Sequence, residues 1–293
     1  MTKNILLWVV LAVVWSSSFL AIKVGIETMG PLTLVAVRMV IGTSVMLIVL
    51  RFFSLSLPRD LRSWGILFVC GMMGNIIPFS LISFGELYVD SGLAALLMGI
   101  APVATVLFAP LVHRDEELSL GAIAGITIGV FGLVVLIGPD ALKGLGSQLS
   151  GQAAILGAAL CYAFTTLFVR RYAALPALVM AAGSMVIGTV VIVGVAYTFE
   201  TLPQEFPVFS RSLVAALYLG LFPTALATLI YFYLVPRIGA GRVSQINFVV
   251  PLGGTIFGVI FLDESLRANT LAALLLIMTA VFLVTRKDSK EKL

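Results

Sequence analysis

Charge is what this chain has least of: 11% of its 293 residues are Asp, Glu, Lys or Arg, where soluble domains carry about 25%. With 60% hydrophobic residues and a mean hydropathy of +1.14, that scarcity excludes an ordinary soluble domain and indicates an integral membrane protein. Histidine is represented only by His113, so a histidine metal cluster has no material. The two cysteines, Cys70 and Cys161, each lie inside an apolar run, where a free buried thiol is expected and a disulfide is not. No Asp or Glu stands near the middle of an apolar run, so a proton relay lacks its usual carboxylate. No Gly-rich phosphate loop occurs, which disfavours nucleotide-driven pumping. Paired buried carboxylates and a nucleophile beside a base are also missing. The expectation is a protein that is not an enzyme and needs no metal or cofactor. The net charge of +4 does not indicate nucleic acid, because the basic residues are dispersed between apolar runs.

What is there is apolar length. At about 20 residues per crossing, the runs 4–24, 31–52, 62–85, 91–111, 119–138, 151–170, 176–197, 212–234, 241–262 and 267–285 read as ten transmembrane helices. The first could pass for a signal peptide, but Trp15 and Phe19 stand where a small-residue cleavage site is needed, so it is read as a retained helix. If the N-terminus is cytoplasmic, 13 Lys and Arg fall on the inner side and four on the outer, with Arg38 inside the second run. That asymmetry predicts cytoplasmic termini at both ends.

Internal repetition is visible as well. Ser91-Gly92, Pro102 and Asp115-Glu116-Glu117-Leu118 are echoed by Ala240-Gly241, Pro251 and Asp263-Glu264-Ser265-Leu266, at an offset of 149 for the glycine and proline and 148 for the acidic motif. Five runs per half is an odd number, so the halves, 4–138 and 151–285, are expected to be inverted relative to one another. Such inverted repeats serve alternating access around a site near the midplane. A solute channel built from inverted repeats remains the alternative.

Together with Trp15-Ser16-Ser17-Ser18-Phe19 in the first run and Pro31 followed by Arg38 in the second, these motifs resemble the drug/metabolite transporter superfamily. More narrowly, they resemble its ten-helix bacterial metabolite exporters with two duplicated five-helix domains of the EamA type. The resemblance covers nearly the whole chain. It implies an all-α inner-membrane exporter with a central cavity, small-molecule substrates, lipid as its surroundings and no obligate protein partner. Amino acids, aromatic ones included, are the preferred substrate class; drugs and nucleotide or sugar derivatives are the rival.

The resemblance implies a cavity lined by the first, third and fourth runs and their repeat mates, the sixth, eighth and ninth, and the candidate residues within them follow from repeat position and helix face. They are Trp15 and Ser18 in the first run, Asn75 and Pro78 in the third, Met98 in the fourth, Tyr162 and Thr166 in the sixth, Thr228 and Tyr231 in the eighth, and Ser244, Asn247 and Phe248 in the ninth. A freed carbonyl near Pro251 and an amide at Asn247 want a wet or protein-lined face rather than lipid. Gly71, Gly74, Asn75 and Pro78 in the third run and Pro223, Thr224, Thr228, Tyr231 and Tyr233 in the eighth read as bending points beside the cavity, and Pro102 and Pro251 as structural or gating prolines. Arg38 is an expensive charge inside its run, with Glu86 or Asp90 as the expected salt-bridge partner and a substrate carboxylate, which suits its forked donors, as the alternative; on the salt-bridge reading Arg38→Ala impairs folding more than substrate selection. Asp115-Glu116 and Asp263-Glu264 are expected to cap the fifth and tenth helices, with a gating salt bridge as the alternative. Gly121, Gly125 and Gly129 make a smooth face for close helix packing.

Overall fold

The computed structural model describes residues 2–112, 119–137, 147–172, 175–200, 210–238, 243, 246–266 and 268–285. Among these the secondary structure is helical throughout, as expected where backbone groups must be satisfied within each segment. The helices are α1 (Thr2–Gly25), α2 (Pro31–Phe52), α3 (Leu61–Gly85), α4 (Ser91–Val112), α5 (Leu120–Ile137), α6 (Ser147–Tyr172), α7 (Ala177–Phe199), α8 (Arg211–Ile238), α9 (Ile246–Leu262) and α10 (Ala268–Thr285). Seven are long and apolar enough to cross a membrane; the apolar parts of α5, α9 and α10 are shorter.

Local chemistry explains where several of them start. Asp60 accepts a 2.8 Å bond from the Ser63 amide at the head of α3, and Ser210 accepts one of 3.2 Å from Leu213 at the head of α8. That amide bond holds the exposed Asp60 carboxyl below its ordinary range. Pro31 opens α2, where its missing N–H costs nothing.

Two helices change winding at matching places. In α3 the segment Met72–Ile76 is a π-turn just before Pro78, and in α8 the segment Gly220–Leu226 is a π-turn containing Pro223. A proline cannot donate to the carbonyl four residues back, and a wider turn accommodates the ring. α4 is interrupted at Gly99, between Met98 and Ile100. A Cβ at Gly99 would lie 3.2 Å from the ring of Pro251, so the break in α4 lies in tight contact with α9, which runs through Pro251 without interruption.

The principal packing pairs come in sets. α1 packs on α9 as α6 packs on α4; α1 on α8 as α6 on α3; α2 on α8 as α7 on α3. α2 with α7, α4 with α9 and α5 with α10 pair helices five apart in order. The glycine face of α5 lies against α10: added Cβ atoms at Gly125 and Gly132 would come within 3.0 Å of α10 atoms. The apolar core follows these pairs. One cluster joins α1, α2, α4, α6 and α10 around Leu34, Leu96, Leu97 and Ile155; a second joins α2 and α7 around Met39 and Ile192; a third joins α1, α8 and α9 around Leu11, Leu234 and Ile246.

Candidate functional site at the paired helix distortions

The π-turn of α8 shows how a sequence defect becomes a binding element. Pro223 leaves the Leu219 carbonyl without its helical donor, and the Thr224 hydroxyl fills the gap, donating to that oxygen at 2.8 Å. The same hydroxyl accepts a 2.7 Å hydrogen bond from Nε of Arg38 on α2. Arg38 is 5% exposed, and its guanidinium lies 3.7 Å from the ring centroid of Phe79 on α3. The Tyr162 phenol of α6 lies near it. Three helices thus converge on one cation, with a fourth beside it.

The corresponding position of the first half is quieter. Asn75, in the π-turn of α3, reaches the Ser184 hydroxyl of α7 at 3.5 Å, and Ser184 in turn donates to Ala181 at 3.0 Å. Asn75 and Thr224 are separated by the same 149 residues that relate Pro102 to Pro251.

The expected salt bridge from Arg38 to Glu86 or Asp90 is not formed. Depth along the helix favoured those acids, but the azimuth of Arg38 directs it to Thr224. Glu86 is instead fully buried one residue beyond the end of α3, with neither carboxylate oxygen hydrogen-bonded. Lys23 of α1 lies close by but donates to the backbone carbonyls of Glu86 and Val89, at 2.6 and 2.8 Å. Burial drives the Glu86 carboxyl well above its ordinary range; Lys23 opposes the shift and the Glu264 carboxylate adds to it.

Glu264 differs from expectation in its target. Asp263 adopts a left-handed conformation, φ 53°, which turns the chain back beyond α9. The Glu264 carboxylate then caps the N-terminus of α4, not that of α10, accepting from the Ser91 amide and hydroxyl at 2.7 Å each and from the Gly92 amide at 2.9 Å. Glu200, beyond α7, does the same for α2, accepting from the Leu32 and Thr33 amides at 2.9 and 2.8 Å and the Thr33 hydroxyl at 2.7 Å. Anions at helix N-termini are favoured by the free amides and the helix dipole. Sequence reasoning passed over Glu200, whose signal was a single acid just past an apolar run. It named Thr224 only as part of a bend, although a threonine directly after a mid-span proline was the available clue.

The other candidates divide. Trp15 meets Tyr231 with ring centroids 6.1 Å apart between α1 and α8. Ser18 and Thr166 spend their hydroxyls on carbonyls of their own helices, Trp15 and Tyr162, at 2.7 and 2.8 Å. Thr228 bonds the Thr224 carbonyl. Ser17, not singled out beforehand, links α1 to Tyr218 of α8 at 2.6 Å. Pro78 is buried and Met98 half-buried against the α1–α4–α6 core. Asn247 is half-buried and makes no side-chain hydrogen bond among the described residues. Asp115, Glu116 and Ser244 lie outside the described residues, as does the side chain of Phe248.

The family model for EamA-like transporters matches residues 2–138 and again 149–286. The chain belongs to the EamA-like transporter family. An EamA domain is therefore present twice. Similar proteins include the uncharacterized transporter YoaV of Bacillus subtilis (strain 168), 25% identical over 296 residues and covering 100% of both chains. A probable terminal-alkyne amino-acid exporter of Streptantibioticus cattleyicolor is 27% identical over 292 residues, covering 98% of this EamA chain and 95% of its own. A protein crystal structure superposes with a TM-score of 0.68 at 22% identity, over 97% of this chain and 96% of that one, which shows a shared fold. Family and relatives make this a multi-pass membrane transporter of small molecules, not an enzyme.

Proposed function

We infer that this EamA protein exports small metabolites across the cytoplasmic membrane by alternating access, with amino acids of several kinds as its main substrates. In this reading the helices form two inverted five-helix halves, 4–138 and 151–285, around a central cavity, and both termini are cytoplasmic. The end carrying Glu86, Glu200 and Glu264 then faces outward.

The observation that carries the reading is the matched packing of the two halves. Packing pairs recur when each helix is replaced by the one five later, and the π-turns fall at equivalent places in α3 and α8. Two near-equivalent halves can exchange conformations at small net cost, which is what alternating access requires. The exporter named above for terminal-alkyne amino acids supports the substrate class. Half-buried Trp15, Tyr231 and Asn247 suit amphiphilic solutes with an apolar side chain.

The test is counterflow in proteoliposomes with labelled aromatic, aliphatic and charged amino acids, with and without a pH gradient. Saturable exchange of several amino acids is expected. Flux that does not respond to substrate on the far side would make the protein a channel, and no exchange of any amino acid by folded protein would move the substrate to drugs or nucleotide derivatives.

A further inference from the structure

A guanidinium 5% exposed inside a helical bundle needs an anion, and the described residues supply none. Of the five N–H donors of Arg38, the one on Nε is the only one used among the described residues, on Thr224. The terminal nitrogens make no hydrogen bond among the described residues, and no acidic side chain there pairs with them. The two acids at the right depth are accounted for otherwise: Glu86 is unpartnered elsewhere, and Asp90 precedes the head of α4.

What holds Arg38 also aims it. Nε is tied to a hydroxyl that is itself fixed to the Leu219 carbonyl, and the guanidinium rests against the Phe79 ring. Those two restraints set both the direction and the plane of the terminal fork before any ligand arrives. A fork of parallel N–H groups matches the two oxygens of a carboxylate, and a pre-oriented one loses little freedom on binding. The residual exposure of the residue leaves it reachable.

We propose that Arg38 is the substrate-recognition residue for a carboxylate, its terminal nitrogens binding the carboxylate of the transported molecule while Thr224 and Phe79 hold it in position. This rests on the small-metabolite exporter reading and narrows it to carboxylated substrates. The charge then acts as a selectivity element: a neutral amide of the same shape cannot compensate it, because it offers one weaker acceptor in place of two charged ones.

The test separates recognition from transport. Purified protein in detergent is titrated at constant ionic strength with phenylalanine and leucine and with their amides, following the thermal midpoint, and the same compounds are then run in proteoliposome counterflow. The proposal expects the acids to stabilise the protein at about tenfold or more lower concentration than the amides. In Arg38→Met that preference disappears. Arg38→Lys, which keeps the charge and loses the fork, shifts acid binding to about tenfold higher concentration and decides the matter if Arg38→Met does not fold. Equal response to acids and amides in the native protein, no response to either, or an unchanged acid preference in Arg38→Lys overturns the proposal. Acid-selective binding without counterflow would sink the exporter reading and leave Arg38 as a carboxylate site. Counterflow that ignores the carboxylate would do the reverse.

Discussion

The two π-turns occupy equivalent places and do different work. In α8, Thr224 joins a buried cation to a freed carbonyl through bonds of 2.7 and 2.8 Å; in α3, Asn75 touches Ser184 at a marginal 3.5 Å. Duplicated architecture thus sets where a polar group can stand, and the individual half decides whether it carries charge. The difference teaches that symmetry explains the motion proposed for this fold, while the asymmetric cation explains what could be selected.

That contrast can be broken by substitution. Thr224→Val strands Arg38 Nε in the interior, so the thermal midpoint should fall by the equivalent of about 1–3 kcal/mol. A loss under half of that would mean that Phe79, not Thr224, holds the arginine.

The staple at the end of α9 comes next. A Cβ at Gly258 would stand 2.1 Å from Glu264 Oε2, so Gly258→Ala expels the carboxylate from the head of α4. Loss of such a cap costs about 1–2 kcal/mol, and Glu264→Ala should cost as much; a double variant no worse than either single one would identify the cap as the shared cause. In transport, both should loosen the end of the bundle at which α4 begins.

Glu86 sharpens the account through pH. Its carboxyl is raised by burial, so the folded state holds a proton that the unfolded chain would release; stability is greatest in acid and declines as pH rises from the ordinary carboxylate range toward the raised value. Glu86→Met removes two unpartnered oxygens, and should raise stability at neutral pH by about 1–3 kcal/mol while flattening that slope. Chemical denaturation followed from pH 5 to 8 in both proteins reads it, and a parallel slope in the variant would assign the titration elsewhere.

The smallest effect is predicted for Ser184→Ala, under about 1 kcal/mol, because its long contact with Asn75 adds little to a hydroxyl already bonded to its own helix. A loss comparable to Thr224→Val would mean that the two cross-links are equal after all.

Much of the fold was legible because hydropathy has few other solutions at this length. The apolar runs correspond closely to α1–α10, and the glycine face of α5 pointed to a close helix neighbour. Partnerships were less legible. Arg38 sits at the depth of Glu86, but sequence gives rise along a helix far better than rotation about it, and a π-turn shifts that rotation again. Glu264 looked like a local cap because it precedes α10; the left-handed Asp263 redirects it to the neighbouring helix α4. Serine and threonine candidates were ambiguous for a different reason, since a hydroxyl in a helix can always bond to its own backbone, as Ser18 and Thr166 do.

The most direct test of the exchange between halves is a pair of distances between α3 and α8, the two bent helices. With Cys70 and Cys161 replaced, spin labels at Leu87 and Val214 report the end near Glu264, and labels at Leu61 and Arg237 report the opposite end. Measured by double electron–electron resonance in lipid nanodiscs, the two distributions should move in opposite senses when a transported substrate is added, one lengthening as the other shortens. Distances that stay fixed, or that lengthen together, would contradict alternating access between the halves.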